Sequence, residues 1–144
     1  MLKFFPSLAE TGSRRDAEII ENLLSEQVLD AAIEVHRTLG GPGLLESLYE
    51  DALLYELKLR NIPALSQVLI PVTYKNYKLR DPMRLDILVD RKVIIEVKAT
   101  ETVLAVHKAQ VLTYLRLTNL KLGIVINFGQ GRLIDGWSRV VNGL

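Results

Sequence analysis

From Glu18 onward apolar residues recur at three- and four-residue steps. Leu24, Val28, Ala31, Ala32, Val35 and Leu39 would form one stripe of a helix. Gly40-Gly41-Pro42-Gly43 breaks that pattern. A second helix is expected from about Leu44 to Arg60, with Leu45, Leu48, Tyr49, Ala52, Leu53 and Leu57 on its inner face and Asn61 and Pro63 marking its end. Residues 1–17 carry no clear period and read as an irregular lead-in to one domain over residues 18–144.

The period then changes to that of strands. Gln67 to Tyr74, Leu79 or Arg84 to Val89, and Val93 to Lys98 are strand-like, and Lys75-Asn76-Tyr77-Lys78 is a turn joining the first two. Pro71 cannot donate to a ladder, which makes the first of these an edge strand. A third helix over about Val103 to Leu117 precedes the apolar run Leu122 to Phe128, and a last strand over Leu133 to Val140 follows Gly129-Gln130-Gly131. Strands, a crossover helix and a buried strand in that order predict an α/β fold: a central mixed sheet flanked by helices, joined by a right-handed crossover.

The second and third strands carry the chemistry. With Asp90-Arg91-Lys92 as the loop, Val89 faces Val93, Ile87 faces Ile95, Leu85 faces Val97, and Asp86 lies opposite Glu96. A one-residue slip would mix apolar and charged positions on both faces, which burial of either face disfavours. Glu96 and Lys98 share one face of their strand. Opposed carboxylates destabilise a sheet unless something neutralises them, and Mg²⁺ is a hard cation held by one or two carboxylates, water and phosphate oxygens.

Composition narrows the setting. The 144 residues are 49% hydrophobic, enough for a sizeable core. Without cysteine there is no disulfide framework and no thiolate metal site, and a cytoplasmic setting is the simplest fit. The apolar start, Leu2, Phe4 and Phe5, is too short for a signal sequence, and no run approaches a membrane span. A net charge of +1 means that nucleic-acid binding must rest on local clusters such as Lys75, Lys78, Arg80 and Arg84, which equally serve to solvate a hairpin.

Asp86, Glu96-Val97-Lys98 and the element order together resemble the PD-(D/E)xK nuclease superfamily, whose core is αβββαβ. Gly43-Leu44-Leu45-Glu46-Ser47-Leu48-Tyr49 is similar to the motif that names its GxxExxY branch. Ile33-Glu34-Val35-His36-Arg37, Ile95-Glu96-Val97-Lys98-Ala99, His107-Lys108-Ala109-Gln110 and Ile126-Asn127-Phe128-Gly129 also match that family's segments in order. The resemblance runs from about residue 20 to the C-terminus. It departs at Met83-Arg84-Leu85, where an aromatic-containing lead-in is expected, and lacks the proline before Asp86.

The resemblance implies a nuclease that hydrolyses DNA, in preference to RNA, through metal-activated water. Asp86, Glu96 and Glu46 would hold Mg²⁺, with Mn²⁺ as an alternative. Lys98 would stand beside the attacking water and the phosphate, and Gln110 near the metal. Gln110-x-x-x-Tyr114 is similar to the Q-x-x-x-Y motif of RecB-like nucleases. His107, Gln110 and Tyr114 share one helical stripe, and Tyr49 shares a helix face with Glu46; these two tyrosines and His107 are secondary candidates. Each residue has a structural alternative: helix-dipole pairing for Glu46, core packing for Tyr49, a boundary position for Tyr114 and a salt bridge for Lys98. His36 and Arg37 suit the negative end of the first helix. So small a domain could span a duplex as a homodimer. The competing function is a catalytically silent module of the same fold that binds nucleic acid or a protein partner.

Overall fold

The computed structural model describes residues 14–144. Helix α1 (Arg14–Thr38) leads into α2 (Glu46–Leu59), followed by strands β1 (Ala64–Ile70), β2 (Thr73–Tyr74), β3 (Tyr77–Lys78), β4 (Met83–Val89) and β5 (Val93–Lys98). Helix α3 (Ala105–Thr118), strand β6 (Leu122–Asn127), a 3₁₀ turn (Leu133–Gly136) and strand β7 (Trp137–Val141) complete it. Five strands form one mixed sheet in the order β1-β4-β5-β6-β7; β5 and β6 are parallel across the α3 crossover and every other pair is antiparallel.

Helices cover both faces. Leu24, Val28, Ala31 and Ala32 of α1 and Leu53 and Leu57 of α2 bury themselves on Ile87, Ile95, Val97, Ile124 and Ile126. On the other face Val111 and Leu115 of α3 pack on Leu88, Ile94 and Val125. That approach is close: a Cβ on Gly123 of β6 would come within 2.3 Å of Val111 Cγ1.

Several boundaries differ from those expected. Helix α1 already includes Arg14 among the described residues, ahead of the apolar stripe; Arg15 and Asp16 are exposed there and carry no apolar periodicity. The rest of the expected lead-in, residues 1–13, lies outside the described residues. Strand β1 stops at Ile70, before Pro71, and is an edge strand as the proline predicts. Residues 73–78 do not join β1 to β4 as a hairpin turn. They close a separate two-stranded ribbon around Lys75 and Asn76, both left-handed at φ 48° and 66°. The expected last strand opens with the 3₁₀ turn and starts only at Trp137.

The β4–β5 hairpin keeps the expected register at Val89↔Val93 and Ile87↔Ile95, with Asp90 and Arg91 left-handed in the turn. Beyond that pair the strands part. Leu85 does not face Val97: it belongs to the α3-side cluster, whereas Val97 belongs to the α1 and α2 side. The parting occurs at Asp86 and Glu96.

Candidate active site

Where the ladder ends, two carboxylates take over its hydrogen bonds. Asp86 Oδ2 accepts from the Val97 amide at 2.9 Å, and Glu96 Oε1 accepts from the Asp86 amide at 3.4 Å. Each strand thus holds the other's acid, and both side chains are buried, with 6% exposure apiece. Burial pushes the Glu96 carboxyl well above its ordinary range; the charge of Asp86 pushes the same way, and Lys98 opposes it. Without a cation the buried pair therefore favours keeping a proton on Glu96, despite Lys98 beside it.

A cleft of about 460 Å³ opens on this pair. Glu46, Arg84, Asp86, Glu96, Lys98, Gln110 and Tyr114 line it, with Leu69, Pro82 and Met83 as its apolar wall. Five of the expected principal residues, from four different elements, therefore meet in one place. Gln110 Nε2 donates to the Tyr114 hydroxyl at 3.0 Å. Burial, together with the charges of Glu96 and Asp86, raises the Tyr114 pKa, so the phenol stays protonated and remains a donor in the cleft.

Helix α2 presents Glu46 from its first turn, and the motif around it has a mechanical explanation. No side chain caps that helix. Instead the buried Tyr49 hydroxyl donates to the Gly41 carbonyl at 2.7 Å and accepts from the Leu44 amide at 3.2 Å. Its ring stacks on Phe128 at 4.7 Å between centroids. Tyr49 is thus a core residue that fixes the turn leading to Glu46, and it does not reach the cleft. His107 is likewise absent from the cleft: its Nδ1 accepts from the Leu104 amide at 3.2 Å and caps α3. His36 is more than a cation at a helix end, since Nε2 donates to the Gln130 carbonyl at 2.9 Å and ties α1 to the turn after β6.

That turn secures Lys98 from behind. The Lys98 carbonyl accepts from the Phe128 amide at 2.8 Å. Asn127, 1% exposed, accepts on Oδ1 from the amides of Thr100 and Gly129, each at 3.0 Å, and donates from Nδ2 to the Thr100 carbonyl at 2.9 Å. A Cβ on Gly129 would stand 2.1 Å from the Thr100 carbonyl oxygen, so only glycine admits this contact.

Three residues join the site that sequence reasoning did not place there. Arg84 lines the cleft and a second, adjoining cavity of about 600 Å³ that also holds Glu46, Glu50, Gln67 and Asp86. Glu50 follows Glu46 by one helical turn, a spacing that could have suggested it. Gln67 carries no such signal. Among the described residues no three acidic or histidine side chains converge closely enough to ring a cation, so Asp86 and Glu96 form a pair rather than a closed cage.

A parted β-hairpin with opposed acids, a lysine two residues on and a helix-borne glutamine define a class of phosphodiester-cutting folds. A family model described as the PD-(D/E)XK nuclease superfamily matches residues 22–140, and the chain belongs to that superfamily. No curated protein and no solved structure matches significantly. No helix among the described residues is long and apolar enough to cross a membrane.

Proposed function

We propose that this protein is a Mg²⁺-dependent nuclease of the GxxExxY branch that hydrolyses DNA and, less readily, RNA. The observation that carries the proposal is the convergence of Glu46, Asp86, Glu96, Lys98 and Gln110 on one cleft. The donor set fits a hard divalent cation: two buried carboxylates face each other, each engaged by backbone N–H through one oxygen, and a cation between them would stabilise the doubly ionised pair that burial and repulsion disfavour. Asp86 and Glu96 would hold it, with Glu46 at the margin of the cleft. When bound, such an ion supplies a water of lowered pKa and polarises the phosphate.

The protein's own groups do the rest. Lys98 lies on the face of Glu96 and offsets charge on the attacked phosphate while orienting the incoming water. The Tyr114 phenol, kept neutral by burial and by its acidic neighbours, accepts from Gln110 and can donate to a phosphate oxygen. Arg84 sits where the two cavities meet and pairs with the flanking phosphate. The reading places the protein in the cytoplasm, and two copies would be needed to engage both strands of a duplex.

A catalytically silent module that binds nucleic acid or a protein partner is favoured by one observation: among the described residues no third acid closes a cage with Asp86 and Glu96. Cleavage of labelled single- and double-stranded DNA and RNA in Mg²⁺, Mn²⁺ or EDTA decides between them. Metal-dependent cutting that falls by about 100-fold or more in Asp86→Ala and Lys98→Ala is expected. Folded wild type that binds nucleic acid but cuts nothing with either metal establishes the silent module.

A further inference from the structure

The edge strand enters the site through one residue. Gln67 falls in the cross-strand row of Asp86, because its neighbours pair as Ser66↔Ile87 and Val68↔Leu85. Gln67 and Asp86 themselves do not pair. Gln67 has φ 53° in the middle of β1, a left-handed backbone that costs a non-glycine residue about 1–2 kcal/mol. Such a conformation persists where surrounding contacts over-determine it, and it clusters at functional sites.

The consequence is visible in burial. Ala64 packs on the α1 and α2 side, whereas Val68 and Ile70, an even number of residues further on, pack on the α3 side. The left-handed residue turns the strand over. In doing so it aims the Gln67 amide at α2, where Nε2 donates to Glu50 Oε2 at 2.6 Å. Glu50, Gln67 and Asp86 line the same cavity, so the bond from Gln67 holds the Glu50 carboxylate on the Asp86 side of α2.

Glycine or asparagine would serve a purely conformational need at this position at lower cost. Neither would reach Glu50, since glycine has no side chain and asparagine is one methylene shorter. Resting on the nuclease reading above, we propose that Gln67 is a positioning residue: its left-handed backbone aims an amide that holds the Glu50 carboxylate beside Asp86 and so sets the cation affinity of the Asp86–Glu96 pair. Helix α2 then contributes Glu50 to the site's charge, one turn beyond the Glu46 that the sequence motif highlights.

The test is Mn²⁺ binding to the full chain, by titration calorimetry or by the loss of the free-ion electron paramagnetic resonance signal, with urea unfolding of the same samples. Gln67→Gly removes the amide and relieves the backbone, so its unfolding midpoint should equal or exceed that of wild type. Its Mn²⁺ affinity should drop by about 10- to 100-fold, the usual effect of removing a group that orients metal ligands. Gln67→Asn and Glu50→Gln should show the same loss, and Gln67→Gly combined with Glu50→Gln should be no weaker than either alone. Wild-type affinity in Gln67→Gly or in Glu50→Gln overturns the proposal and leaves the Asp86–Glu96 site intact. A wild type that binds no Mn²⁺ overturns both the proposal and the nuclease reading.

Discussion

Replacing Glu21 should make this protein more stable, and increasingly so as pH rises. Glu21 lies on the buried stripe of α1 with Leu24, Ser25 and Val28, is 1% exposed, and neither carboxylate oxygen has a hydrogen-bond partner. Desolvation raises its pKa from 4.5 to about 7 against the weaker attraction of Lys92 and Lys121. An acid whose folded pKa lies above its unfolded value binds more protons when folded, so stability falls as pH climbs from about 4.5 to about 7 and then levels off. The full shift corresponds to about 3 kcal/mol, which is the upper bound; local relaxation around the carboxyl makes about half of that the expected effect. Glu21→Met keeps the length and helix propensity and needs no partner. Urea unfolding of both proteins between pH 5 and 8.5 should show the gap in favour of Glu21→Met widening by about 1–3 kcal/mol and reaching a plateau above pH 8. Glu96 titrates over an overlapping range in both proteins and cancels in the difference. A gap that stays constant with pH, or a wild type that is the more stable at pH 8, refutes the reasoning.

Glu96→Gln should likewise be more stable than wild type in EDTA at pH 8, since it removes a buried charge facing Asp86. Saturating Mn²⁺ should reverse that order in a thermal melt, because ligand at about 100 times its Kd adds about 2.7 kcal/mol only to the protein that binds it. Asn127→Ala deletes three hydrogen bonds, two that fasten Thr100 to the end of β6 and one from the Gly129 amide. A loss of about 2–4 kcal/mol in urea unfolding is expected from the unpaired backbone groups it leaves, and an unchanged midpoint would show that water replaces the asparagine. Tyr49→Phe keeps the stack on Phe128 and removes only the hydroxyl that spans Gly41 and Leu44. It should cost about 1–2 kcal/mol and lower cleavage less than Glu46→Ala does.

How far the sequence carries this fold depends on whether burial or polar competition decides the local structure. The hairpin register was legible because Ile87, Val89, Val93 and Ile95 alternate without exception, and burial of one face permits a single pairing. The same alternation misleads at Leu85. Its pattern continues unbroken, but Asp86 and Glu96 capture backbone amides that a ladder would otherwise use, and the strands separate where the acids compete best. Pro71 placed β1 at the sheet edge, whereas nothing in a glutamine announces a left-handed backbone at position 67. Tyr49 and His36 show a third case. Each sits in a segment that matches the family, Tyr49 beside Glu46, yet each is buried and bonded to a turn carbonyl, Gly41 or Gln130. A motif therefore holds two kinds of residue, those that face the cleft and those that fix the turns presenting them, and only side-chain direction separates the two. In this chain that direction assigns Glu46, Asp86, Glu96, Lys98 and Gln110 to the cleft and adds Glu50 and Gln67 beside them, where β1 reverses its pattern alongside β4.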